Sequence, residues 1–359
     1  MGYTKVAKKI EKERKTRLLA DLALIIVTAI WGSTFVMVDQ AVEQVSSFIF
    51  ISLRFSIGFC ALLIIFGYQL LQMKISWREL LRGMIIGSFL FAGYAFQTFG
   101  LQLGTSSSKA GFITGLSVVL VPFFATVLLK KAPHILSWLG IAIAVAGLAL
   151  LSLETDLSFK YSDLLVLCCA FAFAFHIIAI DRFVKTIPYQ KLAVIQVGTT
   201  TVLGWIFSLI FWTSSFPIKM NQQVIFAMIF TGVIATAGVF AVQTKAQEKT
   251  SPTHVAVIFT LEPVFAALFS FLLAGETLHW RQWVGCVLIL VSMLWQQFVD
   301  LKLKPETKDE KVAKKLKAKF DKRAMPNSHP ENNTISQKDS NNVSEPATEQ
   351  KIKEKNADE

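Results

Sequence analysis

Stretches of roughly 20 apolar residues recur from Leu18 to Phe298, and almost no charge interrupts them. About 20 such residues are what a helix needs to cross a ~30 Å hydrocarbon core. Lipid offers the backbone no hydrogen-bond partners, so only helices or closed barrels can span it. These runs are continuous and lack the in–out alternation of a barrel strand. The sequence therefore specifies an all-α membrane protein with ten transmembrane helices. The spans read as 20–38, 46–68, 79–103, 107–129, 135–153, 161–180, 191–212, 222–245, 252–273 and 280–299. The loops are short, so neighbouring helices are antiparallel and no soluble domain fits between them.

Composition agrees. Charged residues make up 17% of the chain, against about 25% in a soluble domain. The formal net charge of +11 invites a nucleic-acid partner, but the basic residues flank the spans. The anionic inner leaflet of a membrane accounts for them, and no nucleic acid is expected. Cys60, Cys168, Cys169 and Cys286 all lie inside apolar spans without metal-ligand spacing. They read as small packing residues, with neither a metal nor a cofactor implied. The first run is too long for the core of a cleavable signal and no small-residue site ends it, so it reads as a retained anchor.

Lysine and arginine set the orientation. With the N-terminus inside, the inner loops carry Lys74, Arg78 and Arg82, then Lys130 and Lys131, then Arg182, Lys185 and Lys191, then Lys245 and Lys249. The outer loops hold only Lys109, Lys160, Lys219 and Arg281, never more than one in a loop. Both termini are therefore expected in the cytoplasm and the protein in the cell membrane, plasma or inner. Residues 1–19 form a basic cytoplasmic leader, 300–325 a basic cytoplasmic segment and 326–359 a disordered tail. The basic segment includes Lys311 to Arg323 and has the composition of a helix lying on anionic lipid or of a solvated charged tail.

The chain also resembles itself at an offset of about 145 residues. Gly87 meets Gly232, Ala92-Gly93 meets Ala237-Gly238 and Gln102 meets Gln247. Thr105-Ser106 meets Thr250-Ser251, Trp138 meets Trp283 and Gly140 meets Gly285. The units run over 20–153 and 161–299, five spans each. Five is odd, so the second unit enters the membrane from the opposite side and the halves are inverted repeats. That architecture is shared by many secondary transporters, which place substrate near the midplane between the repeats.

Motifs in order along both halves carry a family resemblance. They are Trp31-Gly32-Ser33-Thr34-Phe35, Leu53-Arg54-Phe55, and Phe112-Ile113-Thr114 leading to Val121-Pro122. The second half has Leu261-Glu262-Pro263-Val264, then Gly275-Glu276 and Trp283-Val284-Gly285. The chain resembles the EamA group of the drug/metabolite transporter superfamily from about residue 20 to 299. The resemblance implies a ten-helix permease, often an exporter of amino acids, metabolites or drugs. The chain departs from the pattern in places: in the first half Lys130-Lys131 stands in place of Gly-Glu, and the sixth span has Phe173 where many relatives carry Trp. Pro122 also falls four residues out of register with Pro263.

The polar residues within spans are the substrate or cavity candidates: Trp31, Arg54, Gln97, His176, Gln243 and Glu262. A carboxylate at the depth of Glu262 is costly and must face a cavity or a partner. Beside Pro263, which removes an intrahelical hydrogen bond, it could bind a proton or a cationic group. Arg54 keeps its charge and could clamp a carboxylate, pair with Glu262 or snorkel outward. His176 suits proton transfer or an interhelical hydrogen bond. Gln97, Gln196 and Gln243 suit a cavity wall or helix glue, and Trp31 an aromatic wall or core packing. Gly83 with Gly87, and Gly111 with Gly115, form GxxxG pairs that let helices pack closely. Pro122 and Pro263 are hinge candidates.

No P-loop, HExxH, GxSxG or dinucleotide-binding pattern occurs, so no enzyme is expected. The reading is a secondary transporter working by alternating access on a small-molecule substrate, in the export direction and coupled to protons. It is left open between monomer and dimer. The alternatives are a facilitated uptake or exchange permease, and a non-transporting sensor or scaffold acting through its C-terminal tail.

Overall fold

A computed structural model describes residues 2–302 except 43, 106, 131, 153–159, 212–219 and 276. The tail from residue 303, with most of the basic segment, and Glu276 of the Gly-Glu motif lie outside the described residues. Thirteen α-helices and two π-helical segments, with no strand among the described residues, build ten membrane-spanning rods. Single helices make seven of them, the first six being α1 (Gly2–Val42), α2 (Ser47–Gln72), α3 (Trp77–Gln102), α6 (Ile135–Ser152), α7 (Tyr161–Phe183) and α8 (Tyr189–Ile210). The last span, α13 (Trp280–Lys302), is also one helix. The basic leader is not a separate element, because α1 runs through it without a break.

The other three spans are interrupted. The fourth is α4 (Ser107–Gly115) followed by α5 (Ser117–Leu129). The eighth is α9 (Gln222–Gly232), a π segment (Val233–Gly238) and α10 (Val239–Ala246). The ninth is α11 (Pro252–Phe259), α12 (Leu261–Phe269) and a second π segment (Ser270–Ala274). The breaks at Leu116 and Thr260 are 144 residues apart, so they occupy matching places in the two halves. The prolines do not. Pro263 follows its break within the first turn of α12, whereas Pro122 lies inside α5, well past the break at Leu116. The hinge of the fourth span is therefore displaced from Pro122. A proline spoils the helix on its N-terminal side, and the break can settle anywhere in that preceding turn and a half.

Local chemistry sets the helix starts. Ser76 and Glu79 form a reciprocal capping box on α3, Asn221 caps α9 through the Val224 amide, and Ser251 caps α11 ahead of Pro252. Each satisfies amides that a helix start leaves unpaired. Gly275, at φ +70°, ends the second π segment in the left-handed conformation that glycine tolerates best.

The inverted symmetry is visible where α6 crosses α13, the most extensive helix contact in the molecule. Gly147 lies against the carbonyl of Gly285 and against Ile289; Gly285 lies against the carbonyl of Gly147 and against Leu151. Ser292 donates to the Gly140 carbonyl at 2.8 Å. Gly140 and Gly285 are repeat equivalents, as are Gly147 and Ser292, each pair 145 residues apart. A Cβ on Gly285 would sit 2.7 Å from backbone atoms of both Gly147 and Leu151. Gly285→Val is therefore expected to force the helices apart, at about 1–3 kcal/mol, and to lower the unfolding temperature in detergent. Gly111→Ala, where an added Cβ meets nothing within 4 Å, serves as the silent control.

Candidate functional site

The eighth span carries the irregularity that organises the interior. Its π segment widens the helix and presents the Ala235 carbonyl and the Thr236 hydroxyl sideways. π turns of this kind recur at functional sites. Trp31 on α1 donates its indole N–H to the Ala235 carbonyl at 3.1 Å. Arg54 on α2 donates Nη2 to the same carbonyl at 3.3 Å and Nε to Thr236 Oγ1 at 2.9 Å. Its guanidinium also stands 5.3 Å from the Tyr94 ring centroid and 5.8 Å from that of Phe55, within cation–π range. The Tyr94 hydroxyl accepts from Nη2 at 3.5 Å, a long contact. Arg54 is buried at 5% exposure, so it points into the protein and does not snorkel. Trp31, Phe55, Tyr94, Phe240, Phe259 and Phe173 form a connected set of ring contacts around it.

Glu262 faces the same cluster from the ninth span. The break at Thr260 puts it in the first turn of α12, where the helix N-terminus favours a carboxylate. It is near enough for its charge to act on Arg54, Tyr94 and Cys169. No ion pair within 4.0 Å joins it to Arg54, and no hydrogen bond holds its carboxylate among the described residues. Its side chain is half-buried.

The remaining candidates fall around this pair. Gln97 on α3 donates to Thr114 at 3.2 Å, and Thr114 lies 3.7 Å from the sulfur of Cys169, just ahead of the break in the fourth span. His176 is buried, with Nε2 2.9 Å from Gln196 Oε1. Gln196 in turn donates to Thr244 at 2.9 Å, and Thr244 to the Phe240 carbonyl at 2.6 Å. This chain ties α7, α8 and α10 together. Gln243 is fully buried, and both of its amide atoms lack a partner among the described residues. Such a group is costly unless ordered water serves it. Gly83 and Gly87 on α3 press against Ile195 and the Gln196 carbonyl of α8. Gly115 meets Leu148, whereas Gly111 meets nothing, so the second GxxxG pair closes at one residue only.

Tyr94, Thr236 and the Ala235 carbonyl belong to the site although no polar pattern singles them out. Their only sequence signal is position: they adjoin Ala92-Gly93 and Ala237-Gly238, one of the matched pairs of the repeat. Chemically the cluster offers one fixed cation, one carboxylate not committed to it, and aromatic walls between. No group of three or more His, Cys, Asp or Glu residues able to hold a metal occurs among the described residues.

Comparisons with known proteins agree with this architecture. The family model of the EamA-like transporter family matches twice, over residues 18–153 and 160–295, which are the two inverted halves. A protein of Archaeoglobus fulgidus called "Uncharacterized transporter" is 35% identical over 77% of this chain and 85% of its own length. "Uncharacterized transporter YoaV" of Bacillus subtilis is 25% identical over 77% of this chain and 96% of its own. A crystal structure 18% identical in sequence superposes with a TM-score of 0.68 over 78% of this chain and 98% of that one, a likeness of fold. Both halves of the chain match the family model and the curated relatives are named transporters, so this multi-pass membrane protein belongs to the EamA-like transporter family.

Proposed function

We propose that this chain exports a small amphipathic metabolite bearing an anionic group, such as an amino acid, across the cell membrane in exchange for protons. The observation that carries the reading is that Arg54 and Glu262, from opposite repeats, face one cluster without pairing. Arg54 is held by Thr236 and the Ala235 carbonyl, so the residue is oriented before any ligand arrives. A pre-positioned guanidinium beside aromatic faces suits a carboxylate attached to an apolar body. Glu262 can take a proton or the cationic end of the substrate, which is how proton release and substrate binding come to compete. The breaks at Leu116 and Thr260 sit at equivalent depths and supply hinges for the halves to exchange conformations. The lysine and arginine bias of the loops supports a cytoplasmic position for both chain ends.

The test is an untargeted comparison of metabolites inside and outside cells that express the wild-type chain or Arg54→Gln at equal membrane levels. At least one small anionic or zwitterionic compound is expected to shift outward with the wild type and not with the variant. Identical profiles would remove Arg54 from substrate handling.

A further inference from the structure

Two charge clusters at opposite ends of the bundle lie outside the central site, and the repeat relates them. At the face without chain ends, Thr105 donates to Asp163 Oδ1 at 2.9 Å and Lys109 Nζ lies 2.6 Å from Asp163 Oδ2. This joins the fourth span to the sixth. At the face carrying both chain ends, Thr250 donates to Asp21 Oδ1 at 3.1 Å and His254 Nε2 lies 3.3 Å from Asp21 Oδ2. This joins the ninth span to the first. Thr105 and Thr250 are 145 residues apart, as are Lys109 and His254, and the two aspartates are 142 apart. The clusters are therefore one clasp built twice, once on each face, and both are closed in this structure.

They differ in one respect. The cation of the first clasp is a lysine. Its counterpart is a histidine, a side chain whose charge can change within the physiological range. His254 is 1% exposed and is flanked on both sides: Nδ1 lies 3.2 Å from Asp300 Oδ2 on α13, and Arg17 on α1 pairs with Asp300 in turn. Among the described residues, the other helices against α11, namely α5, α7 and α12, bring no charged group within ion-pair range of His254. A neutral imidazole can donate from only one nitrogen and would leave the other facing a carboxylate, acceptor against acceptor. Only the imidazolium can satisfy both. Both ring nitrogens stand at ion-pair distance without aligned hydrogen bonds, so a small displacement either seats or frees the ring.

We propose that His254 is a proton-binding site that latches α1, α11 and α13 at the face where α1 begins and α13 ends, with Lys109 as its lysine counterpart on the other face. The proton favours the latched state. The latch therefore holds at low pH on that side and loosens as pH rises. Acid in the compartment on that side keeps that face shut, while the clasp on the opposite face has no histidine to respond in this way. The inference concerns access alone and is read without substrate, so its outcome is separate from that of the export reading.

The experiment uses full-length protein in detergent with Cys60, Cys168, Cys169 and Cys286 replaced by serine and one reporter, Gln247→Cys. Gln247 is 1% exposed at the end of α10, on the latched face. Maleimide labelling rates are compared between His254 and His254→Lys at the same pH, which cancels the thiol's own pH dependence. At about pH 8 the histidine protein is expected to label about tenfold faster, and at about pH 6 the two should match. A ratio that does not change with pH overturns the proposal. Should His254→Lys fail to run as a monodisperse species on size exclusion, the reciprocal change decides. Lys109→His, with Ser162→Cys as the buried reporter on the other face, should gain pH-dependent labelling relative to Lys109. A pH-independent ratio there overturns the proposal equally.

Discussion

Arg54→Gln is expected to leave a folded protein whose affinity for its substrate falls about 10- to 100-fold. Hydrogen bonds to charged groups are worth about 1.5–3 kcal/mol, and each 1.4 kcal/mol is tenfold in affinity. Glutamine is long enough to keep one contact with Thr236 or the Ala235 carbonyl, so the π segment retains part of its lateral support. What it cannot supply is the positive charge and the planar fork that a carboxylate needs. Isothermal titration with the compound identified from cells would show the loss. An unchanged affinity would place Arg54 in the scaffold and not in the site.

Glu262→Gln is expected to abolish pH-driven transport while substrate exchange between two loaded compartments continues. Glutamine fills similar space and hydrogen-bonds, yet cannot cycle a charge. Glu262 is half-buried and no hydrogen bond to its carboxylate is seen among the described residues, which suits the proton-cycling role proposed for it. The two activities separate in proteoliposomes: uptake under an imposed pH gradient, and counterflow at equal pH. Uptake that still follows the gradient would take Glu262 out of the coupling.

Much of this molecule is legible in its sequence because lipid removes alternatives. Ten apolar runs leave the backbone a single answer, and observed spans such as Trp77–Gln102 and Tyr161–Phe183 fall within a few residues of those read from hydropathy. The repeat is equally visible, since glycines such as Gly140 and Gly285 match across it where helices touch. Other features have no local signature. Val233–Gly238 is an unremarkable apolar stretch, and only the donors Trp31 and Arg54 reaching its carbonyl mark it as a π segment of consequence. Proline placement misdirects, because Pro122 lies beyond the break it accompanies. The end-of-span charges Asp21, Lys109, Asp163 and His254 look like boundary markers. They become clasps only when the fold brings two spans together at each face. Pairing across more than a hundred residues is set by packing and cannot be read from hydropathy.

The central claim is that Arg54 and Glu262 serve a substrate and not each other. Thermal unfolding of the wild type, Arg54→Gln, Glu262→Gln and the double variant in the same detergent tests it most directly. If the two residues formed a buried ion pair, removing one would strand the other at about 3–5 kcal/mol, and the second substitution would restore stability. The account predicts small losses that add, because Arg54 keeps its contacts with the eighth span whether or not Glu262 is charged. Recovery of wild-type stability in the double variant would contradict it.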